Sequence, residues 1–347
     1  MKFFHKSETP NLKRNFFSED KEKIKEIPKM LIVTSGSRNG NHLVWSLLDG
    51  NTNIPYIPGE DRLLSQIFIR NLKNHKKFEF KLQKKKSNFL RKLSGMRFDK
   101  WKKLHQKKFN LKKWAGKQKL KDIPILEFPN IIHKVNYENY KKEINNGFKK
   151  LKKLNFFQIF KLYLNAIKKL SPIKKNTHYK YSYAQSGLRR EILYLLQNKA
   201  DLKVVVPIRR FETFYFSKIM GFYGSTKITK RHISWAWDHW HHKTNDYIVL
   251  KKKFPKNIIF VLFEDLENIS SREKAMKKLL KKLNLKFEKI NLTPTIFKKK
   301  VIPNSSFFVR RKKGLVISHF KKDLIFPKNK IPKKYFSILK KIKRLSY

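Results

Sequence analysis

Three short runs of β-branched and apolar residues, each leading through a turn into a stretch of helical period, limit this chain to few architectures. The first is Met30-Leu-Ile-Val-Thr34, closed by Ser35-Gly-Ser-Arg-Asn-Gly40. Leu43, Val44, Leu47 and Leu48 then fall at helical spacing until Asp49-Gly-Asn-Thr-Asn53 stops the helix. The second, Leu202-Lys-Val-Val-Val206, is an almost continuous apolar run, the pattern of a strand buried on both faces. A helix-period stretch through Glu191–Leu196 precedes it, and another containing Phe214, Phe216 and Ile219 follows. The third, Ile258 to Phe263, ends in Glu264-Asp-Leu266. Between Ser270 and Leu285, Ala275, Met276, Leu279, Leu280 and Leu283 share one helical face. Such alternation predicts an α/β fold, a parallel sheet flanked by helices.

The rest of the chain is organised around that pattern. Residues 1–27 are polar and charged and read as a loosely held arm, and 28–347 read as a single α/β domain. From about 71 to 176 the strand spacing disappears, and lysine runs alternate with Phe, Trp and Leu, which predicts a mainly helical insertion or cap. Within it, Phe148, Leu151, Ile159, Tyr163 and Ile167 line one side of a basic amphipathic helix over 148–170. With 40% apolar residues, the 347-residue chain can fill a core of this size. No run approaches the roughly 20 uncharged apolar residues of a membrane span. The first residues also lack the apolar segment of a secretory signal. With no cysteine there is neither a disulfide nor a thiolate metal site. These features fit a cytoplasmic protein.

The formal net charge is +59, from 84 Lys and Arg against 25 Asp and Glu. Such a field attracts anions of every kind. The cations are overwhelmingly lysine, whereas arginine is the residue that reads bases and phosphates bidentately. They also spread along the whole chain rather than forming one block. Most of the charge therefore reads as solvated faces and no specific nucleic-acid partner is expected, the remainder favouring an anionic ligand.

Two turns carry chemistry. A glycine-containing strand-to-helix turn such as 35–42 aims backbone N–H groups at whatever lies over the helix N-terminus, which suits a phosphate, and Arg38 adds a cationic fork beside it. It is not a Walker A loop, because no Lys follows Gly40. The second turn begins at Arg209, just beyond a buried strand, with Ser217 eight residues later in the next helix. An Arg and a hydroxyl so placed can hold a second phosphate in the crevice above the sheet.

On these residues the chain resembles the sulfotransferases that use 3′-phosphoadenosine 5′-phosphosulfate (PAPS), in particular the branch of bacterial and tyrosylprotein enzymes. Arg38-Asn-Gly-Asn-His-Leu43 followed by Leu47-Leu-Asp-Gly-Asn-Thr-Asn-Ile54 is similar to the family's first motif, R-S-G-T-T-L and L-L-D-x-H-P-x-I. Arg209 with Ser217 is similar to its second, and Phe263-Glu-Asp-Leu266 with the helix after it to a later strand ending in E-D-L. The likeness spans about 28–70 and 180–290. It implies a P-loop-like sheet, PAPS as co-substrate and no metal.

By the same resemblance, Ser37, Arg38, Asn39, Gly40, Asn41 and His42 would cradle the 5′ end. Arg38 would stabilise the leaving phosphate, and Arg209 and Ser217 would take the 3′ phosphate. Arg310 and Lys313 match the family's last basic region loosely. Asn41 and His42 stand where the family carries paired hydroxyls, and Arg210 stands at the place of an acid, beside Arg209.

The base is open between Glu60 or Asp61, where the tyrosylprotein branch has G-E-E, and a histidine of Trp235-Ala-Trp-Asp-His-Trp-His-His242. That cluster superficially suggests a metal site but lacks acids at a known spacing, and its tryptophans read as core. The competing readings are a non-catalytic polyanion or nucleic-acid binder, a small-molecule kinase, and an inactive relative used as a binding module. The acceptor would be a saccharide, a lipid head group, a peptide tyrosine or a small metabolite.

Overall fold

The computed structural model describes residues 29–36, 39–55, 177–184, 186–197, 200–220, 229–296, 299–300 and 331–346, with short helical stretches at 142–143, 146–147, 161–162 and 165–166. The arm at 1–27, most of the insertion at 71–176, and Ser37, Arg38, Glu60, Asp61, Arg310 and Lys313 lie outside the described residues.

Strands β1 (Met30–Val33), β2 (Tyr181–Ala184), β3 (Leu202–Ile208) and β4 (Ile258–Leu262) form one parallel sheet in the order β2-β1-β3-β4. Every residue of β1, β2 and β4 is buried, as is every residue of β3 but Lys203. Burial on both faces is what the unbroken apolar runs dictate. The parallel α/β architecture read from the sequence is the one observed. β2, Tyr-Ser-Tyr-Ala, gave no such signal: it is four residues long and three of the four carry a hydroxyl. It is fixed by its pairing to β1 and by Ser182, whose hydroxyl donates to the Pro55 carbonyl at 3.0 Å.

Helices follow each strand: α1 (Asn41–Asp49), α2 (Arg189–Gln197), α3 (Phe211–Tyr215) running into a π-helical turn (Phe216–Met220), α4 (Lys230–Lys253), α5 (Phe263–Glu267) and α6 (Ile269–Lys282). Helix α7 (Lys334–Ser346) packs back on β4. The third strand stops at Leu262, one residue earlier than its apolar run suggests, because Phe263 turns out of the sheet to open α5. The Trp and His cluster lies on α4, a helix of 24 residues begun by Thr229, whose hydroxyl accepts from the His232 N–H at 3.1 Å. Among the described residues, no helix is long and apolar enough to cross a membrane.

One set of buried polar contacts fixes the direction of α1. Asn291 donates to the Leu47 carbonyl at 3.0 Å, and the Thr295 hydroxyl donates to the fully buried Asp49 carboxylate at 2.9 Å. Asn51 donates to the Lys286 carbonyl, also at 3.0 Å. With its far end clamped, α1 holds its N-terminus at the carboxyl end of β1.

Candidate active site

The strand order makes β1 and β3 the switch point of the sheet. The chain leaves β1 toward β2 on one side, while β3 and β4 lie on the other. In open α/β sheets ligands sit in the crevice beyond such a point. Both turns singled out in the sequence lie there, the loop after β1 and Arg209 directly after β3.

At the first turn, Gly40 is the N-cap of α1, with φ 98° and no side-chain cap. The first backbone N–H groups of a helix have no partner within it, so this end suits an anion. The loop itself is stitched to its neighbours. The Ser35 hydroxyl donates to Asn41 Oδ1 at 2.7 Å, and Asn41 Nδ2 donates to the Ser186 hydroxyl at 2.8 Å. The Gly187 N–H bonds the Ser35 carbonyl at 2.8 Å, and Thr34 Oγ1 meets the Tyr247 hydroxyl at 3.1 Å. Asn41, buried at 3% exposure, thus uses its carbonyl oxygen and one amide hydrogen on the protein, a bracing role that spacing alone did not reveal. Asn39 is buried as well, and its Oδ1 accepts from the Arg209 backbone N–H at 3.4 Å, tying the loop to the end of β3.

Arg209 is the central feature. Only 7% of it is exposed, and its buried Nε has no hydrogen-bond partner among the described residues. Its guanidinium lies 3.6 Å from the centroid of the Phe263 ring, a cation–π contact that offsets part of the desolvation. Burial pushes Arg209 below its usual value, while Glu267 and Glu264 oppose the shift, and the group stays charged at neutral pH. The adjacent Arg210 is exposed, and its backbone N–H donates to Glu264 Oε1 at 3.0 Å. Of the two arginines, it is Arg209 that faces the interior. Glu264 also accepts from the Thr213 hydroxyl at 2.5 Å, so the Glu-Asp-Leu segment fastens α3 to α5. The same ring that carries Arg209 touches Gly40: a Cβ there would lie 2.1 Å from Phe263 Cδ2. Gly40, Phe263 and Arg209 form one stack.

Ser217 is buried at 4% exposure within the π turn, a local widening of the helix that is common at functional sites. Lys218 beside it is 7% exposed, its Nζ 5.5 Å above the Trp235 ring. The crevice face of α4 completes the set. Trp240 is fully buried and donates from Nε1 to the Arg209 carbonyl at 2.8 Å, whereas Trp235 is 38% exposed and is not core. His239 stacks between Phe214 and Trp235, each ring 6.0 Å away. Burial, then the charges of Lys218 and Lys243, lower its pKa to about 4, so it is neutral at pH 7. Lys243, one turn further along, approaches the loop: a Cβ on Gly36 would meet Lys243 Cβ at 3.1 Å. His241 stacks instead on Trp237, and His242 is exposed. Among the described residues no three His, Asp or Glu side chains are grouped to hold a metal.

A buried acid lies behind the crevice. Glu191 of α2 is 3% exposed, and burial raises its carboxyl from 4.5 to about 7, with Arg190, Arg189 and Lys243 opposing. Between those values the native state binds more protons than the unfolded chain, so this group's contribution to stability falls as pH rises from about 4.5 to 7. At 1.36 kcal/mol per unit the effect is about 3 kcal/mol. His239, whose pKa is lowered, acts in the opposite direction below pH 6.5, so the parent must be compared with a variant. Glu191→Gln is expected to gain about 3 kcal/mol over the parent at pH 8 and little at pH 4.5, measured by urea unfolding at both pH values.

Of the residues named from the sequence, Asn39, Gly40, Asn41, Arg209 and Ser217 are described here. The backbone of His42 opens α1. Sequence reasoning missed Phe263, read as the last residue of a strand, together with Lys218 and the Ser186-Gly187 turn.

No protein-family profile and no curated protein matches the chain. Among solved structures it is similar to the sulfotransferase domain of the Synechococcus PCC 7002 olefin synthase, at 14% identity over 92% of this chain and 95% of that one, with a TM-score of 0.49. It is also similar to the sulfotransferase domain from the curacin biosynthetic pathway, at 13% identity over 92% and 98%, with a TM-score of 0.47. Both likenesses are distant, and the functional reading rests on the site's own residues.

Proposed function

We propose that the crevice binds PAPS and passes its sulfuryl group in line to an acceptor hydroxyl or amine. The observation that carries this reading is Arg209, a buried cation at the switch point whose Nε has no hydrogen-bond partner among the described residues. A buried charge that keeps an unpartnered donor is costly. A dianionic phosphate would remove that cost through charge-assisted hydrogen bonds. The uncapped N-terminus of α1 supplies a second anion site across the Phe263 ring, as a nucleotide with phosphates at both ends requires.

In the transfer, the acceptor oxygen forms a bond to sulfur as the bond from sulfur to the 5′-phosphate oxygen breaks. The electron pair leaves on that phosphate, where charge develops and where the resemblance puts Arg38. The acceptor's proton must go to a base. His239 is neutral at pH 7 and lies on α4 one turn before Lys243, whose stem approaches Gly36 of the loop, which favours it over Glu60 and Asp61. Replacing His239 by Gln is expected to lower turnover by about 100-fold or more while leaving nucleotide affinity within about twofold. The assay follows a radiolabelled sulfuryl group from PAPS onto a panel of saccharides, lipid head groups, tyrosine peptides and small alcohols and amines. Unchanged turnover in His239→Gln, with loss in Glu60→Gln, would move the base to Glu60.

A further inference from the structure

Helix α7 lies far in sequence from every motif of the site, yet buried rings connect it to the site's central residue. We infer that Tyr335 of α7 is a positioning residue for Arg209, acting through the indole of Trp240.

The peptide groups of Arg209 are held from both sides. Its N–H donates to Asn39 Oδ1 at 3.4 Å, and its carbonyl accepts from Trp240 Nε1 at 2.8 Å. Together they set the direction in which the side chain leaves the end of β3, and so the place of the guanidinium over the Phe263 ring. The shorter bond depends on the plane of the indole, which the packing around a buried tryptophan fixes.

Three rings hold that plane. Trp237 stacks on the indole at 5.6 Å and 26°, Phe211 meets it at 6.1 Å and 66°, and Tyr335 at 5.5 Å and 60°. Trp237 shares α4 with Trp240, and Phe211 opens α3 two residues after Arg209. Tyr335 comes from the other end of the chain, and its ring also packs on Phe211 at 6.2 Å and 54°. It therefore touches both the ring whose N–H binds the Arg209 carbonyl and the ring that follows Arg209 in sequence. All three residues are buried, and in a close-packed interior the displacement of one ring is passed to the next.

The helix that supplies Tyr335 is itself fixed. The Tyr335 N–H donates to the Pro332 carbonyl at 2.9 Å, Ile342 is fully buried, and Lys282 Nζ donates to the Ser346 carbonyl at 2.6 Å. α7 packs on β4, the neighbour of β3 in the sheet. A phosphate held by charge-assisted bonds requires the guanidinium at a set distance and angle. Loss of Tyr335 should therefore cost affinity for the phosphate that Arg209 takes and spare the rest of the nucleotide. That consequence rests on the reading that Arg209 takes the 3′ phosphate, whereas the link from Tyr335 to Trp240 can be tested without nucleotide.

The first readout is solvent exchange of the Trp240 indole proton by NMR, assigned by its loss in Trp240→Phe. In Tyr335→Leu, exchange is expected to be about 3- to 10-fold faster than in the parent. Tyr335→Phe restores the ring and is expected to restore the slow exchange. The second readout compares 3′-phosphoadenosine 5′-phosphate with adenosine 5′-phosphate, which lacks the 3′ phosphate. Tyr335→Leu is expected to weaken the former by about 3- to 30-fold and the latter by less than about twofold. In a Trp240→Phe background the same change is expected to add little, because both act through one carbonyl bond. If Tyr335→Leu does not fold, exchange in the parent under mild urea takes its place. The indole proton and the α7 amides are then expected to become accessible together. An indole proton that stays protected while α7 opens would overturn the inference. So would parental exchange in Tyr335→Leu, or equal loss of affinity for both nucleotides. A parent that fails to prefer the 3′-phosphorylated nucleotide removes the PAPS reading, and the indole proton then decides the Tyr335 link by itself.

Discussion

Arg209→Met is expected to weaken binding of 3′-phosphoadenosine 5′-phosphate by about 10- to 100-fold while leaving the ligand-free fold close to its original stability. The two halves of this result have one cause. In the free protein the guanidinium is buried with Nε unpartnered, so its removal takes away a desolvated charge as well as the contact with Phe263. Replacing a buried charge by an apolar side chain of similar length is often neutral. Its loss also leaves Glu264, whose carboxyl burial already raises, to take up a proton more readily. A ligand phosphate, by contrast, loses charge-assisted hydrogen bonds of about 1.5–3 kcal/mol. Denaturant unfolding separates the two. Product nucleotide at about 100 times its Kd should stabilise the parent by about 2.7 kcal/mol and the variant much less. Equal stabilisation of both proteins would remove Arg209 from the site.

Gly40→Ala carries the largest structural effect. Gly40 has φ 98°, a backbone state that L side chains rarely adopt, and an added Cβ would lie 2.1 Å from Phe263 Cδ2. The ring cannot retreat freely, because it is fully buried and carries Arg209 on its face. Strain of about 1–3 kcal/mol and overpacking of about 1–3 kcal/mol act together, so a loss of about 3 kcal/mol or more is expected. Displacing Phe263 also moves Arg209, so nucleotide affinity should fall with stability. Gly187 is the internal control. Its φ is 80°, yet a Cβ there meets nothing within 4 Å. Gly187→Ala should therefore show the backbone strain alone, about 1 kcal/mol, with affinity retained. Urea unfolding and calorimetry on both variants check the pair, and equal losses in the two would contradict a role for Phe263.

How much of this was legible beforehand follows from the kind of signal each element carries. β3 was readable because Val204-Val-Val206 is apolar on both faces, and α1 because Leu43, Val44, Leu47 and Leu48 keep helical period up to Asp49. β2 was not, since Tyr-Ser-Tyr-Ala becomes a strand only through its pairing with β1. The parts of the site that follow from position in the sheet, Gly40 and Arg209, were found at the two turns. Those that depend on tertiary contact were not. Phe263 ends an apolar run and gives no hint that it will bridge Gly40 and Arg209. Lys218 is one lysine among many until burial singles it out. His239 could be narrowed from the cluster only after α4 showed which face meets Phe214 and which meets solvent.

The central claim is that this crevice recognises a nucleotide by its 3′ phosphate. Calorimetric titration of 3′-phosphoadenosine 5′-phosphate tests it most directly, at about 0.3 M salt, where general attraction to a chain of net charge +59 is screened beyond a few ångströms. The account expects one-to-one binding that prefers this nucleotide to ATP and is weakened in Arg209→Met. Binding that disappears at that salt, or that fails to distinguish ATP, would contradict it and point to a protein that holds polyanions through its lysines alone.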